Sequence, residues 1–330
     1  MTGNSIMSIR NLSVGYNSEG GFTRIINNLN LEVNAGRILG IAGESGSGKS
    51  TLAQAIYRSL KYPGEIESGE VIFDGRDLLK MELPDLRKLR AVHLSFVPQA
   101  AMNALNPVKK ILYQFFDVLI AHGKDPEENM ERIQEAVRMV RLDESILYSF
   151  PHELSGGMKQ RTVIAMSLLL SPKLVILDEP TTGLDVLVEH DILKDIREIQ
   201  RKTKISMIFI THDLSILYEM SDDIGMLYAG ELVEKGKYNE FLENPMHPYT
   251  YLLTRSIPRI GIRRENIIKL KGTPTNFDPD NHGCQFISRC PFSESYCSES
   301  HPELIESDEE DHYYRCVNFP AWKRKAGITK

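Results

Sequence analysis

The chain has 330 residues, 42% of them hydrophobic and 25% charged, with a formal net charge of −6. That length allows two domains, or one large domain with a smaller companion, and the composition is that of an ordinary globular protein. The acidic balance gives no sign of a nucleic-acid-binding chain, and no apolar run is long enough to cross a bilayer. The start, Met1-Thr2-Gly3-Asn4-Ser5-Ile6, lacks the basic and apolar regions of a signal peptide.

In chain order, residues 7–14 read as a strand, and Leu29-Asn30-Leu31-Glu32-Val33 alternates as a second one before the turn Asn34-Ala35-Gly36. Tyr16 lies between them. Aromatics are mostly packing residues, but this ring would also suit the face of a nucleobase, and Phe22 is a second candidate. The apolar run Ile38-Leu39-Gly40-Ile41-Ala42 then enters Gly43-Glu44-Ser45-Gly46-Ser47-Gly48-Lys49-Ser50-Thr51, followed by a helical pattern from Leu52. Strand, G-x-x-x-x-G-K-S loop and helix together make a phosphate-binding loop. Gly43, Gly46 and Gly48 let successive N–H groups turn inward, Ser45 and Thr51 belong to the same cradle, and the helix turns its positive end to the phosphates. Lys49 is placed to reach the β- and γ-phosphates, and the Ser50 hydroxyl to join the coordination of Mg²⁺. A phosphate loop without an export signal points to the cytosol, where disulfides are not the first reading of four cysteines.

Beyond the loop, residues 70–75 read as a strand and 83–92 as a helix, with Pro84 tolerated near its start. Residues 94–99 form a strand closing on Pro98 and Gln99. From about 100 to 149 the pattern is helical, with Leu112, Phe115, Phe116 and Leu119 on one face and a second run at 130–140. A helical block inside an α/β pattern suggests a subdomain set to one side. Leu154-Ser155-Gly156-Gly157 precedes a helix through 162–170, a second helix N-terminus with bare backbone for an anion. Leu174-Val175-Ile176-Leu177 reads as a buried parallel strand, and Asp178-Glu179 sits at its C-terminal end, where α/β sheets bind ligands. There Asp178 would hold Mg²⁺ and Glu179 would polarise an attacking water. A polar loop, Thr181-Thr182-Gly183-Leu184-Asp185, precedes a helix at 186–202. A buried strand at 205–210 ends in Thr211-His212-Asp213, and an antiparallel pair follows at 224–227 and 231–234.

The phosphate loop, Gln99, Leu-Ser-Gly-Gly at 154–157, Asp178-Glu179, Gly183-Leu184-Asp185 and His212, in this order, resemble the nucleotide-binding subunit of an ATP-binding-cassette (ABC) transporter over residues 7–245. The resemblance implies an α/β P-loop NTPase cassette: a RecA-like core, an antiparallel β subdomain and an α-helical signature subdomain at about 100–165. It makes Tyr16 the adenine-stacking aromatic, Gln99 a sensor of Mg²⁺ and permease, and His212 a γ-phosphate contact. Asp185 would communicate across a dimer, while Ser155, Gly156 and Gly157 would meet the nucleotide held by the opposite subunit. Two ATP molecules would close a pair of cassettes, and hydrolysis would reopen it to drive a permease.

Leu105-Asn106-Pro107, the stretch Asn244-Pro245-Met246-His247-Pro248-Tyr249-Thr250-Tyr251-Leu252-Leu253, Gly272-Thr273-Pro274 and the tail around Gly283-Cys284 look like the oligopeptide/dipeptide (nickel) importer branch. That branch also imports oligosaccharides, so the fold does not name the cargo. It implies a C-terminal domain at 246–330 following the cassette at 1–245, a second and paralogous ATPase subunit, two permease subunits, an extracellular substrate-binding protein and a place on the cytoplasmic face of the plasma membrane. Cys284, Cys290, Cys297 and Cys316 give C-x5-C-x6-C-x18-C, which matches neither usual zinc pairs nor common ferredoxin runs. Iron–sulfur, zinc and plain thiols all remain open from the residues; the family resemblance implies a structural [4Fe–4S] cluster. His282 and His312 read as solvated, Arg259, Arg263 and Arg264 as a basic surface run, and the acidic stretch 306–311 as a surface loop. The rival function is a non-transport ABC ATPase acting on a soluble or ribosomal partner. The short interval between phosphate loop and signature, and the single phosphate loop, argue against it.

Overall fold

The computed structural model describes residues 5–256, 270–273, 276–309 and 311–328. Residues 1–4, the basic run Arg259, Arg263 and Arg264, Pro274 and Glu310 lie outside the described residues. In chain order the elements are β1 (Ser5–Ser18), β2 (Gly21–Asn34), β3 (Ile38–Ala42), α1 (Lys49–Tyr57), β4 (Gly64–Phe73), β5 (Arg76–Asp77), α2 (Leu83–Leu89), β6 (Leu94–Val97), α3 (Ile111–Ala121), α4 (Met130–Met139), α5 (Gly156–Leu168), β7 (Leu174–Asp178), α6 (Val186–Thr203) and β8 (Ser206–Ile210). They continue with α7 (Leu214–Met220), β9 (Asp223–Tyr228), β10 (Glu231–Lys237), α8 (Tyr238–Glu243), α9 (Pro248–Ser256), β11 (Ile305–Glu306), β12 (Tyr313–Tyr314) and α10 (Ala321–Lys325). The chain forms two compact units, one of residues 1–6, 34–37 and 80–210, the other of 7–33, 38–79 and 211–330.

In the first unit β6, β7 and β8 run parallel, with β7 in the middle. Every residue of β7 and β8 is buried, as continuous apolar runs in a parallel sheet require. The helical block contains α3 and α4; Leu112, Phe115 and Leu119 are buried on α3, while Phe116 is only half-buried and meets Tyr113 edge-on. Helix α2 stops at Leu89, short of the expected 92, because Arg90 is extended and Ala91 takes a positive φ of 60°. Helix α5 starts at Gly156, earlier than expected, because the Ser155 hydroxyl accepts a hydrogen bond from Met158 N–H and caps it. Arg161 of α5 donates to Asp195 of α6 and, at 2.8 Å, to the Val140 carbonyl.

The second unit holds two sheets. One has the order β2-β1-β4-β5, with β1 and β4 antiparallel from Met7↔Phe73 onward. Strand β1 runs four residues past the expected end, and β4 starts six before the expected beginning. Pairing on both sides of β1 carries the ladder beyond its apolar stretch. The other sheet has the order β11-β12-β10-β9-β3, with β3 parallel to β9 and the rest antiparallel. The C-terminal segment thus extends this sheet at its edge. It also packs by rings: Trp322 is fully buried, meets Tyr251 and Phe292 in tilted contacts at 5.5 Å, and donates to the Met246 carbonyl at 3.0 Å.

His312 is a correction. It is buried, not solvated, with Nε2 2.8 Å from Glu234 and Nδ1 3.4 Å and 3.7 Å from Glu309 and Glu240. Three residues of the nominal acidic loop are pulled into order around it: Glu306 pairs in β11, the Ser307 amide bonds the His312 carbonyl, and Glu309 accepts from Asn244. His282 is exposed, as expected.

Candidate functional site

The phosphate loop leaves β3, whose five residues are all buried, and enters α1. Gly46 and Gly48 have φ of 83° and 101°, the left-handed region that glycine enters at little cost. Gly48 is the N-cap of α1 and offers no side chain, so the first-turn N–H groups remain available to an anion. Lys49 is buried, and its Nζ donates to the Gly43 and Glu44 carbonyls at 2.7 and 2.9 Å. The ammonium therefore already points into the concavity of its own loop. The Ser47 hydroxyl is buried there without a hydrogen-bond partner. Such a loop, with bare helix N–H groups, an inward lysine and an orphaned hydroxyl, fits a phosphate group. Ser50 and Thr51 are in the first turn of α1, and the Thr51 hydroxyl lies 3.4 Å from the Tyr16 hydroxyl. Tyr16 pairs with Gly64 across β1 and β4, where a methyl would approach its ring to 3.0 Å.

A feature the sequence did not disclose grips this loop from outside. The Glu44 carboxylate takes both arms of Arg289, at 2.6 and 3.0 Å, and the Glu44 N–H donates to the Tyr249 hydroxyl at 3.0 Å. The Glu44 position is free in the motif, and its partners lie 205 and 245 residues away, so no local signal could have found them. Burial first, then the Glu44 charge, pushes the Tyr249 phenol well above its usual range, so it stays neutral. The Glu44 hydrogen bond similarly raises Arg289. His212 precedes the Asp213 cap of α7 and is exposed.

In the first unit, Asp178 ends β7 and is buried. Glu179 follows with a φ of 45° and anchors its N–H on the Ile210 carbonyl at 2.9 Å. Its Oε2 accepts from Gln99 Nε2 and the Thr182 hydroxyl, both at 3.0 Å. The chain direction is therefore set at a non-glycine left-handed residue, and its carboxylate is oriented by two donors. Gln99 and Glu179 were separate expectations; the structure joins them. Asp185 caps α6 by accepting from Val188 N–H at 3.0 Å. Gly157 faces that helix: a methyl there would lie 2.6 Å from Val188 Cγ1, so packing as well as any ligand demands glycine. Gly156 has more room, its nearest neighbour being a Leu184 methyl at 3.4 Å.

The four cysteines are free and line one cavity together with His247, Phe286 and Asn318. Burial pushes the Cys284 and Cys290 thiols up to about 12 and about 11, and Cys316 higher still. These three thiols are thus protonated at neutral pH unless a cation replaces the protons. His247 is held neutral by burial, with Arg315 adding to the effect. Its pKa falls to about 3, and its Nδ1 accepts from Tyr249 N–H at 3.1 Å.

Residues 26–182 match the family model described as "ABC transporter", and residues 233–297 match "Oligopeptide/dipeptide transporter, C-terminal region". A dipeptide transport ATP-binding protein of Caldanaerobacter subterraneus subsp. tengcongensis is 38% identical over 310 residues, covering 93% of this chain and 95% of the relative. An oligopeptide transport ATP-binding protein of Haemophilus influenzae is 38% identical over 297 residues, covering 89% and 92%. Among solved structures, a dimeric bacterial ABC transporter cassette superposes with a TM-score of 0.63 at 28% identity, over 70% of this chain and 98% of that one. A post-hydrolysis cassette dimer holding ADP and Pi does so with a TM-score of 0.63 at 27% identity, over the same shares of the two chains. With its phosphate loop, oriented Glu179 and capped signature helix in the family's order, this chain belongs to the ABC transporter family, as an ATP-binding and ATP-hydrolysing cassette.

Proposed function

We propose that this chain energises the import of oligopeptides or dipeptides through a membrane permease. The observation that carries the reading is the joint presence of a complete cassette and the oligopeptide/dipeptide transporter C-terminal region in one chain. Names of the relatives favour peptide over oligosaccharide cargo. The cassette ends near residue 245, and the rest forms the C-terminal domain. Lys49 neutralises the β- and γ-phosphates, Ser50 and Asp178 hold Mg²⁺ with Gln99 as its sensor, and Glu179 accepts a proton from the attacking water. His212 meets the γ-phosphate and Tyr16 the adenine. Ser155, Gly156, Gly157 and Asp185 act across a cassette dimer, for which the dimeric structural relatives are support. The partners are a second, paralogous ATPase, two permease subunits and, through them, a substrate-binding protein. No described helix is long and apolar enough to cross a membrane. The chain sits on the cytoplasmic face, attached through the permease subunits.

The decisive variant is Glu179→Gln. It keeps the acceptor for Gln99 and Thr182, so the fold is preserved, while general-base catalysis worth about 10²–10⁴-fold is lost. ATP binding with trapped dimers is the expected result; normal turnover overturns the assignment of the base. Purification of the chain from its native membranes tests the transport reading. Co-purifying multi-span permeases and a peptide-loaded binding protein support it, and soluble or ribosomal partners alone refute it.

For the C-terminal domain we propose a structural [4Fe–4S] cluster held by Cys284, Cys290, Cys297 and Cys316. Four thiols around one cavity suit it. When bound, the cluster would cross-link a loop-rich tail. Iron and sulfide assays on anaerobically purified protein test this; fully folded, metal-free protein overturns it.

A further inference from the structure

Glu44 is bound from both sides by the C-terminal region while its own carbonyl serves the phosphate loop. Arg289 grips the carboxylate with two parallel hydrogen bonds, and its side chain is only 4% exposed. Two further contacts fix the guanidinium: Nε donates to the Lys271 carbonyl at 2.9 Å, and the group lies 5.7 Å from the centre of the Tyr228 ring. This is a bidentate pair with the arginine buried and Glu44 half-buried, unlike a mobile surface ion pair. Tyr249 accepts the Glu44 N–H, and its ring packs against Tyr228 and Phe286. On the other side, the Glu44 carbonyl accepts from Lys49 Nζ at 2.9 Å and from Ser47 N–H at 3.2 Å.

As Lys49 turns toward a phosphate, its bonds to the Gly43 and Glu44 carbonyls weaken or break. A loop held only by that lysine would lose its shape as the lysine left. The grip of Arg289 and Tyr249 is independent of Lys49, so it persists. We propose that Arg289 and Tyr249 are positioning residues of the nucleotide site: through Glu44 they hold the phosphate loop in its binding shape, and the C-terminal region thereby sets ATP affinity. The inference rests on reading this loop as the ATP site. The turn Ile287–Arg289 lies between Cys284 and Cys290, so the thiol-lined cavity anchors both ends of the segment that carries the arginine.

The test uses the full chain and reads ATP affinity by calorimetric titration, with thermal unfolding measured without nucleotide. Arg289→Met is expected to weaken ATP binding about tenfold, the scale of one charge-assisted hydrogen bond. Arg289→Lys should recover part of the loss, because it restores the charge without the fork. Glu44→Gln should weaken binding similarly, and the double variant should bind no worse than Arg289→Met alone. Tyr249→Phe, which removes one hydroxyl, should weaken binding with its fold intact, and it carries the test if the arginine variant misfolds. Unchanged ATP affinity in these variants overturns the proposal even if their melting temperatures fall, since that is the signature of a purely structural pair. Additive losses in the double variant overturn it as well. A parent chain that binds no ATP refutes instead the nucleotide reading on which the proposal stands.

Discussion

Gly157→Ala probes the contact between the signature helix and α6. The added methyl would lie 2.6 Å from Val188 Cγ1, against about 3.5–4.0 Å for carbons in ordinary contact. About 1 Å of overlap must be relieved. Val188 is in the first turn of α6, and its branched side chain has few alternative rotamers there. Overpacking of this kind costs about 1–3 kcal/mol. Replacing glycine in a helix interior returns up to about 1 kcal/mol, and less at the second position of α5. A net loss of about 1–2 kcal/mol is therefore expected. Val188→Ala removes the opposing methyl, so urea unfolding of both single variants and the double should give a favourable coupling of about the same size. A Gly157→Ala chain as stable as the parent, or zero coupling, refutes the packing argument. If the double variant regains stability but not ATP turnover, Gly157 also acts at the nucleotide.

Asp195→Ala should be among the more damaging substitutions in the helical part. It strips a buried carboxylate from Arg161 and from Arg141 at 2.9 Å, leaving Arg161 charged and largely buried, and urea unfolding should show a loss of about 3–5 kcal/mol. Trp322→Ala should cost about 3–5 kcal/mol in the same assay by leaving a cavity and an unbonded Met246 carbonyl. His312 makes a pH-dependent contribution. Burial opposes its charge, but the Glu234 hydrogen bond and the carboxylates of Glu234, Glu309 and Glu240 outweigh that and raise its pKa above 6.5. The Phe241 ring stacked on the imidazole adds no titrating group. The folded form binds the proton more tightly than the unfolded chain, so this stabilisation is complete below about pH 6.5 and is lost as pH rises through the folded pKa. Unfolding between pH 6 and 9 should show that slope in the parent and a flatter one in His312→Gln; equal slopes refute it.

Motif spacing was enough to place the phosphate loop, the acidic pair and the buried parallel strands, and the family resemblance supplied the reading of Leu-Ser-Gly-Gly at 154–157 as a signature. Each of these depends on neighbours within a few residues: a glycine that must turn, a helix that must start, an apolar run that must be covered. The same locality explains what was missed. Gln99 and Glu179 are 80 residues apart, and their hydrogen bond exists only because β6 and β7 are adjacent in a parallel sheet. His312 has polar neighbours in sequence and reads as solvated, but β12 pairs with β10 and brings it onto Glu234. Glu44 occupies a position the motif leaves open, and its burial partner Arg289 is 245 residues downstream. Local pattern thus determined which chemistry the chain carries. Only the tertiary structure decided which charges meet, because a buried ion pair depends on distance in space and leaves no periodic trace along the chain.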